Sequence, residues 1–356
     1  MARVLVALSG GVDSSVAAAL ACEAGHEVVG ATMKLWGGES DSGCCSVGDV
    51  EDARRVAHRL GIDHHVFNFT EEFAHHVVGP YVAAHGRGET PNPCIECNRH
   101  IKFDRLLERA LRLGFDLVVT GHHARLDRSG GVPRLRRGRD ARKDQSYVLS
   151  CLGPAALARL ELPVGEMTKE EVRALAARLG LATAAKPDSQ EVCFVAGGAG
   201  PAARRAFLEG RIELHPGDVV DGATGEVVGR VPAVELVTVG QRRGLGVAAG
   251  ERCFAVEVDV AGRRVTLGRG PALLAHEIRL GRRTWTAEPV PAGTAVAIQA
   301  SAHGRAVEAV TTEEGVQLRA PFRRVAPGQT VALYDAGTAS VVLGSGVALP
   351  SQRGAA

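Results

Sequence analysis

Val4-Leu5-Val6-Ala7-Leu8-Ser9-Gly10-Gly11-Val12-Asp13-Ser14-Ser15 is the stretch that decides the fold, because it joins an apolar run to a turn of glycine and serine. The apolar run predicts a buried strand, and the alanine-rich residues 16–20 predict a helix directly after the turn. Backbone N–H groups at the start of a helix have no intrahelical partner, and the helix dipole adds positive potential there. The glycines let an anion approach the backbone, and the serines add donors. The stretch therefore predicts a pyrophosphate site.

The motif resembles the PP-loop of the ATP pyrophosphatases. It is not the other common phosphate loop, whose Gly-Lys-Ser/Thr ending occurs nowhere in the chain. PP-loop enzymes cleave ATP between the α and β phosphates and leave AMP on a carbonyl oxygen, so the resemblance implies adenylation. The alternative is an ordinary helix start at which Asp13 or Ser14 is the capping residue.

Composition limits the classes of protein. A chain of 356 residues has room for two or three domains. It shows no opening signal segment and no apolar run long enough for a membrane span, so we expect a cytoplasmic protein without membrane contact. The eight cysteines do not suit a secreted disulfide framework and are expected to be reduced. A net charge of +2 means that any nucleic-acid surface is a local patch.

Hydrophobic patterns divide the chain into three parts. Up to about residue 200, strands and helices alternate, which predicts an α/β domain with a doubly wound parallel sheet. Ligands bind such sheets at the carboxyl ends of the strands, where Ser9, Met33 and Gly121 lie. After 200, short alternating runs between Gly/Pro turns indicate only β structure. We therefore expect an α/β domain at 1–200, a small central β domain at 201–270 and a last block of strands at 271–350.

Three cysteines stand in polar segments. Cys94 and Cys97 follow a proline-rich turn, and we expect a helix over 98–113 that places Cys97 at its N-terminus. Arg99, His100 and Lys102 would then help to form a reactive thiolate. Cys193 lies in a second polar turn. Spacing alone also allows Cys94 and Cys97 to be a redox or metal-binding CxxC pair, and it allows Cys193 to be a buried apolar side chain. Cys22, Cys151 and Cys253 are expected in the core, and Cys44-Cys45 lies in a Gly/Ser loop of open role.

The complete set of motifs, in this order and spacing, resembles the family of tRNA-specific 2-thiouridylases (MnmA) from residue 3 to about 345. The motifs are the loop at 7–14, Asn92-Pro93-x-x-x-Cys97-Asn98, Thr120-Gly121-His122, Lys143-Asp144-Gln145-Ser146-Tyr147, Asp188-Ser189-Gln190-Glu191-Val192-Cys193-Phe194 and Thr238-Val239-Gly240-Gln241-Arg242-Arg243-Gly244-Leu245-Gly246. The resemblance implies a tRNA-uridine 2-sulfurtransferase that acts on the wobble uridine of lysine, glutamate and glutamine tRNAs. It also implies that 1–200 is the catalytic domain and that 271–350 is a C-terminal β-barrel that contacts tRNA.

The resemblance also implies roles for single residues. Cys193 would receive a persulfide sulfur from a donor protein, a cysteine desulfurase or a sulfur relay protein. Cys97 would be the nucleophile that frees the product and leaves a Cys97–Cys193 disulfide. Mg²⁺ would accompany ATP, with Asp13 a possible ligand. The ATP-binding residues implied are Ala7, Leu8, Ser9, Gly10, Gly11, Val12, Asp13, Ser14, Met33 and Gly121. The tRNA-binding residues implied are Asn92, Pro93, Cys94, His122, Lys143, Asp144, Gln145 and Gln329.

Other residues add to or depart from the family pattern. Residues 125–143 carry eight Arg/Lys against two Asp, a local charge of +6 that suits a phosphate backbone or an ordinary solvated hairpin. The family has Asp where this chain has Cys94, so Cys94, Cys97 and Cys193 form an alternative ligand set for a [4Fe–4S] cluster. Val231, Val237 and Ser301-Ala302 replace a His, a Tyr and an Arg-Tyr pair of the family, which puts the C-terminal tRNA contacts in doubt.

Two rival functions belong to other classes. A PP-loop synthetase would adenylate its substrate and then add nitrogen, and it would not need Cys97 or Cys193. An RNA-binding or iron–sulfur scaffold would bind ATP only as a regulator, and it would form no AMP in the presence of tRNA.

Overall fold

The computed structural model describes residues 1–36, 46–188, 192–198, 200–247 and 252–350. Cys44-Cys45 and the motif residues Ser189-Gln190-Glu191 lie outside the described residues. The first part of the chain contains β1 (Arg3–Ala7), α1 (Val12–Glu23), β2 (Glu27–Lys34), α2 (Val47–Leu60), β3 (Asp63–Asn68), α3 (Thr70–Phe73), α4 (Gly79–Gly86), α5 (Pro93–Glu96), α6 (Leu106–Arg112), β4 (Leu117–Val119), β5 (Ala124–Asp127), β6 (Arg134–Arg137), α7 (Ser146–Leu149), α8 (Pro154–Ala158), β7 (Leu160–Glu161) and α9 (Lys169–Arg178). Two π-helical segments, Ala74–Val78 and Cys97–Arg105, continue α3 and α5.

A five-stranded parallel sheet in the order β3-β2-β1-β4-β7 forms the centre of this part. Successive side chains of β1 point to opposite faces, so Leu5 enters one apolar core while Val4 and Val6 enter another. A strand that is buried on both faces has to be apolar at every position, which explains the run that opens the chain. The predicted doubly wound α/β fold is confirmed.

The rest of the chain holds two smaller β structures. The elements are α10 (Pro201–Leu208), β8 (Gly217–Asp221), β9 (Val227–Val231), β10 (Phe254–Asp259), β11 (Arg264–Gly268), β12 (Leu274–Trp285), β13 (Ala295–Gln299), β14 (Val307–Thr311), β15 (Gly315–Arg323), β16 (Thr330–Asp335) and β17 (Val342–Ala348). Strands β8–β11 form one sheet in the order β10-β11-β8-β9. Strands β12–β17 close into a six-stranded barrel, which confirms what the family resemblance implies.

Three sequence-based boundaries were wrong, and proline explains two of them. The stretch after residue 200 is not purely β, because Pro201 opens α10 and buries Phe207 and Leu208. The helix that contains Cys97 starts at Pro93 rather than at 98. Proline lacks only an N–H that the first helical turn does not use, so it begins helices as readily as it breaks them. Helix α1 starts at Val12, four residues earlier than the alanine run indicates.

No helix among the described residues is long and apolar enough to cross a membrane.

Candidate active site

A cavity of about 600 Å³ lies where β1, β2 and β4 end. The predicted catalytic, ATP-binding and tRNA-binding residues all belong to the described part of the chain, and every one except Gly10 lines this cavity. The nucleotide loop, the Asn92–Cys97 segment, His122, residues 143–145, Cys193 and Gln329 therefore share one space. These segments are far apart in the sequence, and the sheet and the barrel bring them together.

The glycines of the loop are required by close packing. Gly10 has φ +71°, and a Cβ there would lie 2.4 Å from the carbonyl oxygen of Asp49 in α2. A Cβ on Gly121 would lie 2.4 Å from the amide nitrogen of Ser14. Gly10 thus lets the loop pack against α2, and Gly121 lets the end of β4 pack against the loop.

The N-terminus of α1 has no side-chain cap. Gly11 is the N-cap residue, so the alternative in which Asp13 or Ser14 caps the helix is wrong. The Ser14 hydroxyl instead accepts from Ser9 N at 3.2 Å and donates to the Gly11 carbonyl at 3.0 Å, which braces the turn. Uncapped N–H groups at a braced turn form an anion site.

Asp13 is held by a lysine that sequence reasoning missed. Lys169 Nζ lies 2.8 and 2.6 Å from the two carboxylate oxygens of Asp13, and His123 Nε2 donates to Asp13 at 2.9 Å. Burial alone would raise the pKa of Asp13, but the bonds from His123 and Lys169 outweigh it and hold that pKa below its usual value. Asp13 is therefore an ionised carboxylate, and it holds the buried ammonium of Lys169 at the wall of the cavity.

Lys169 also connects the loop to the segment before Cys193. Its ammonium lies 2.8 Å from Asp188, which also accepts from Lys143 at 2.8 Å and from Arg173 at 3.0 Å. Burial opposes ionisation of Asp188, yet the lysines hold its pKa well below the usual range. Three cations converge on Asp188, so the local charge is positive beside the phosphate loop.

Residues 144 and 145 use their side chains inside the protein. Asp144 accepts from Arg137 at 2.7 Å, from Ser146 Oγ at 2.8 Å, and from the amides of residues 138 and 146. The Gln145 side chain accepts from the amide of His123 at 2.8 Å. Asp144 and Gln145 thus fix residues 138–146 against His123, the histidine that bonds Asp13.

Cys97 lies in the second turn of its helix, which corrects its predicted place at the N-terminus. Asn92 caps that helix by accepting from Cys94 N at 3.0 Å, so Cys94 is the cysteine nearest the helix start. Arg99 donates to Thr284 of the barrel at 2.8 Å and does not line the cavity. The predicted cation that does line it with Cys97 is Lys102.

Glu96, next to Cys97, ties this helix to the barrel. Arg282 donates to both oxygens of Glu96, at 3.0 and 2.6 Å. His100 lies 3.4 Å from Glu96 and so also faces away from the cavity. The helix start is held from the other side by Gln329, which donates to the carbonyl of Thr90 at 2.8 Å.

The predicted cysteines divide into cavity and core. Cys97 is buried and Cys193 half-buried, and both line the cavity. Cys151 is buried elsewhere, and burial raises the pKa of its thiol to about 12, which makes it unreactive. Cys22 and Cys253 are half-buried, and each packs against an apolar core.

His122 is a buried side chain at the end of β4. It shares a hydrogen bond of 2.8 Å with Thr120, and burial and then Lys102 hold its pKa well below the usual value. His122 is therefore neutral and fixed in direction where it lines the cavity.

Cys94, Cys97 and Cys193, the ligand set of the cluster alternative, all line the cavity. Within the described part of the chain, no three His, Cys, Asp or Glu side chains form a group that could hold a metal ion. A [4Fe–4S] cluster takes its thiolates on separate iron atoms rather than on one ion, so the ligand set Cys94, Cys97 and Cys193 stays a prediction. Mg²⁺ needs no such group when it arrives on a nucleotide, because the phosphates supply most of its ligands.

The basic segment 125–143 forms the hairpin β5–β6 and its extension. Several of its arginines pair with acids of the same domain. The pairs are Arg125–Glu166, Arg136–Asp127, Arg137–Asp144, Arg139–Glu171 and Arg142–Glu170. Asp127 is already counted in the +6, so the other four pairs offset four of those six charges.

Comparisons with known proteins cover nearly the whole chain. Family models match residues 2–197 as "tRNA methyl transferase HUP domain", 205–269 as "tRNA methyl transferase PRC-barrel domain" and 275–348 as "Aminomethyltransferase beta-barrel domain". The protein named "tRNA-specific 2-thiouridylase MnmA" from Roseiflexus castenholzii is 45% identical over 97% of this chain and 99% of its own length. Proteins of the same name from Beutenbergia cavernae (45% identity, 94% of this chain and 92% of theirs) and Mycolicibacterium paratuberculosis (46%, 93% and 94%) are equally similar. The chain belongs to the MnmA family of tRNA-specific 2-thiouridylases.

Proposed function

We propose that this chain adenylates the C2 oxygen of the wobble uridine of tRNA and replaces that oxygen with sulfur. The observation that carries the proposal is the single cavity in which an uncapped phosphate loop and two cysteines, Cys97 and Cys193, face the same space. A nucleotide loop alone would suit any adenylating enzyme. Two thiols beside it favour sulfur chemistry.

The loop and its lysines would bind ATP. The N–H groups at the start of α1 and the ammonium of Lys169 suit the phosphates, and Lys143 adds charge next to them. Mg²⁺ bound to ATP would supply further charge neutralisation for the departing pyrophosphate. We place the domain boundaries at residues 200 and 270, so all of these groups belong to the first domain.

Adenylation solves the chemical problem at C2. The C2 carbonyl of uracil is a poor electrophile, and its oxygen is a poor leaving group. Attack of that oxygen on the α phosphate expels pyrophosphate and makes the oxygen part of AMP. The terminal sulfur of a Cys193 persulfide then bonds to C2, and AMP leaves with the oxygen.

Cys97 would complete the reaction. Its thiolate attacks the Cys193 sulfur, and the electron pair of the broken S–S bond passes to the sulfur on C2, which becomes the thiocarbonyl. The Cys97–Cys193 disulfide that remains needs two electrons from an external thiol. The persulfide would come from a sulfur-donor protein. The wobble base would have to be flipped out of the anticodon loop to reach the cavity.

The residues that we propose to act on the tRNA side are Asn92, Pro93, Cys94, His122, Lys143, Asp144, Gln145 and Gln329. The contacts favour an indirect role for Asp144 and Gln329, because their side chains hold other segments of the cavity wall.

The descriptions of two family models name methyl transfer, which would need neither α–β cleavage of ATP nor a pair of thiols.

A thiolation assay with matched cysteine variants tests the proposal. Iron-free protein is incubated with Mg-ATP, a persulfide source and unmodified glutamate tRNA, and the digested tRNA is analysed for 2-thiouridine by mass spectrometry. We expect product from the wild type and from Cys151→Ser, whose thiol lies outside the cavity, and none from Cys97→Ser or Cys193→Ser. 2-Thiouridine from either cavity variant would overturn the role of that cysteine. Equal AMP formation in the wild type and both cavity variants, with no 2-thiouridine in any of them, would favour a nitrogen-transferring synthetase. AMP formation without any thiolated product would contradict the sulfur route.

A further inference from the structure

Three polar side chains of the cavity have no part in the chemistry above. Tyr81 and His85 lie one turn apart on α4, with ring centres 4.6 Å apart, and Arg204 lies on α10. All three line the cavity together with Cys193. They form what we call the α4–α10 pocket, defined by Tyr81, His85 and Arg204.

Aromatic packing fixes this pocket beside Cys193. The ring of Phe194, the next residue, lies 5.3 Å from that of Tyr81 and 5.2 Å from that of Phe207. Phe207 follows Arg204 by three residues on α10, so both lie on one side of that helix. The Cys193 segment therefore packs against α4 on one side and α10 on the other, the two helices that carry the α4–α10 pocket.

The charge of the pocket is unbalanced. One Arg204 nitrogen donates to the carbonyl of Leu236 at 3.0 Å, but Arg204 Nε is buried without a hydrogen-bond partner. Within the described part of the chain, Arg204 forms no ion pair with a carboxylate. Glu235, whose backbone bonds His85, turns its own carboxylate to His215 at 2.8 Å. A guanidinium in an apolar wall without an acid is costly unless an anion occupies the space.

The neighbours of Arg204 are neutral. Burial, and then Arg204 itself, lowers the pKa of His85 to about 4, so His85 is uncharged at neutral pH. Burial raises the pKa of Tyr81, which stays protonated. The pocket thus offers one cation and no negative side chain of its own to a ligand in front of it.

We propose that the α4–α10 pocket binds the sulfur anion of Cys193, as thiolate before loading and as persulfide afterwards. The inference rests on the proposed function for the persulfide state only, because the thiolate exists without ATP or tRNA. Arg204 supplies the countercharge that a half-buried sulfur anion needs. A phosphate of the tRNA backbone is the competing anion, and the test separates the two.

The test is the alkylation rate of Cys193 in the full chain without ATP or tRNA. Iodoacetamide reacts with the thiolate, and cleavage after glutamate gives the same peptide, residues 192–209, from the wild type and from every variant below. We expect Arg204→Met to lower the rate at pH 7 about tenfold and to change it little at high pH, where the thiol is ionised in any case. Arg205→Met is the matched control, because Arg205 is exposed on the same helix and pairs with Glu209 at 2.7 Å. It should alkylate like the wild type.

Two further variants separate charge from folding. Arg204→Lys keeps a cation and should stay within about threefold of the wild type. If Arg204→Met melts at a lower temperature than the wild type, Arg204→Gln keeps a donor for the Leu236 carbonyl and gives the same comparison. Unchanged alkylation in the neutral variants would overturn the inference, and weaker tRNA binding with unchanged alkylation would assign the pocket to a phosphate. Slower alkylation in a protein that makes no 2-thiouridine would leave the inference standing while the proposed function fails.

Discussion

At the scale of the residue, Lys169 is the group on which the nucleotide site depends most. The chain has only five lysines among 42 basic residues, and this one is buried between Asp13 and Asp188. A compact ammonium with three donors can be shared by two carboxylates and still reach a phosphate, which a planar guanidinium does less well. Lys169 thus connects the loop that would bind ATP with the segment that leads to Cys193.

Replacing Lys169 by methionine should weaken ATP binding. The loss of one charge-assisted contact to phosphate, worth about 1.5–3 kcal/mol, corresponds to a roughly ten- to hundredfold higher dissociation constant. Lys186→Met is the control, because Lys186 also pairs with two carboxylates, Asp49 at 2.7 Å and Asp52 at 2.6 Å, but does not line the cavity. Calorimetric titration with Mg-ATP in the absence of tRNA measures both. Equal affinities of the two variants would exclude Lys169 from the nucleotide site.

The sequence could not single out Lys169. It follows a Thr168 cap at the first position of an ordinary amphipathic helix, where lysine is usually a solvated side chain. Asp13 lies 156 residues away, so only the packing of α9 against α1 brings the two together. The loop residues, in contrast, carry their signal within eight consecutive positions. The one available clue was the scarcity of lysine.

At the scale of the element, the approach of α2 to the loop behind α1 decides the shape of the phosphate site. Gly10→Ala should place a methyl group within 2.4 Å of the Asp49 carbonyl. Gly25→Ala is a matched control, because Gly25 has nearly the same φ, +76°, and no atom within 4 Å of its Cβ position. Both variants carry the strain of a left-handed alanine, about 1–2 kcal/mol, and only Gly10→Ala adds a backbone clash.

We expect Gly10→Ala to lose stability beyond Gly25→Ala and to lose ATP binding, while Gly25→Ala binds ATP normally. Thermal unfolding with and without Mg-ATP measures both effects, since a bound ligand raises the melting temperature. If the two variants melt together and both respond to ATP, the loop does not depend on close packing against α2.

Elements with one dominant signal were predictable, and elements with competing signals were not. β1 and the barrel strands β13 and β16 follow directly from their apolar or alternating runs. The helix at Pro93 did not, because Pro91 and Pro93 indicate a turn as strongly as a helix start. Its π-helical continuation over Cys97–Arg105 has no sequence signature, since the extra residue per turn is set by packing.

At the scale of the whole molecule, the barrel and the segment between β9 and β10 hold the cysteine helix in place. The loop before that helix receives Gln329 and the Pro327 carbonyl from the barrel side, both at 2.8 Å from Thr90. Thr238 lies 3.4 Å from the Thr90 hydroxyl. The position of Cys97 therefore depends on contacts across more than 180 residues of sequence, such as Arg282–Glu96. Patterns within one element do not encode such contacts.

Breaking the Arg282–Glu96 pair should impair thiolation more than nucleotide binding. We expect Arg282→Met to lower kcat for 2-thiouridine formation several-fold, with ATP affinity unchanged, because the phosphate loop does not touch the barrel through this pair. Arg279→Met is the control, since Arg279 pairs at 2.9 Å with Glu314, which also belongs to the barrel. Loss of ATP binding in Arg282→Met, or an equal loss of kcat in Arg279→Met, would mean that the pair only stabilises the fold.

The most direct test of the central claim follows the oxygen that sulfur replaces. Glutamate tRNA whose wobble uridine carries ¹⁸O at C2 is incubated with the protein, Mg-ATP and a persulfide source, and AMP and tRNA are both analysed by mass spectrometry. If the cavity adenylates C2 and then transfers sulfur, each 2-thiouridine appears with one AMP that contains a single ¹⁸O. Thiolated tRNA with unlabelled AMP, or labelled AMP without thiolated tRNA, would contradict the account.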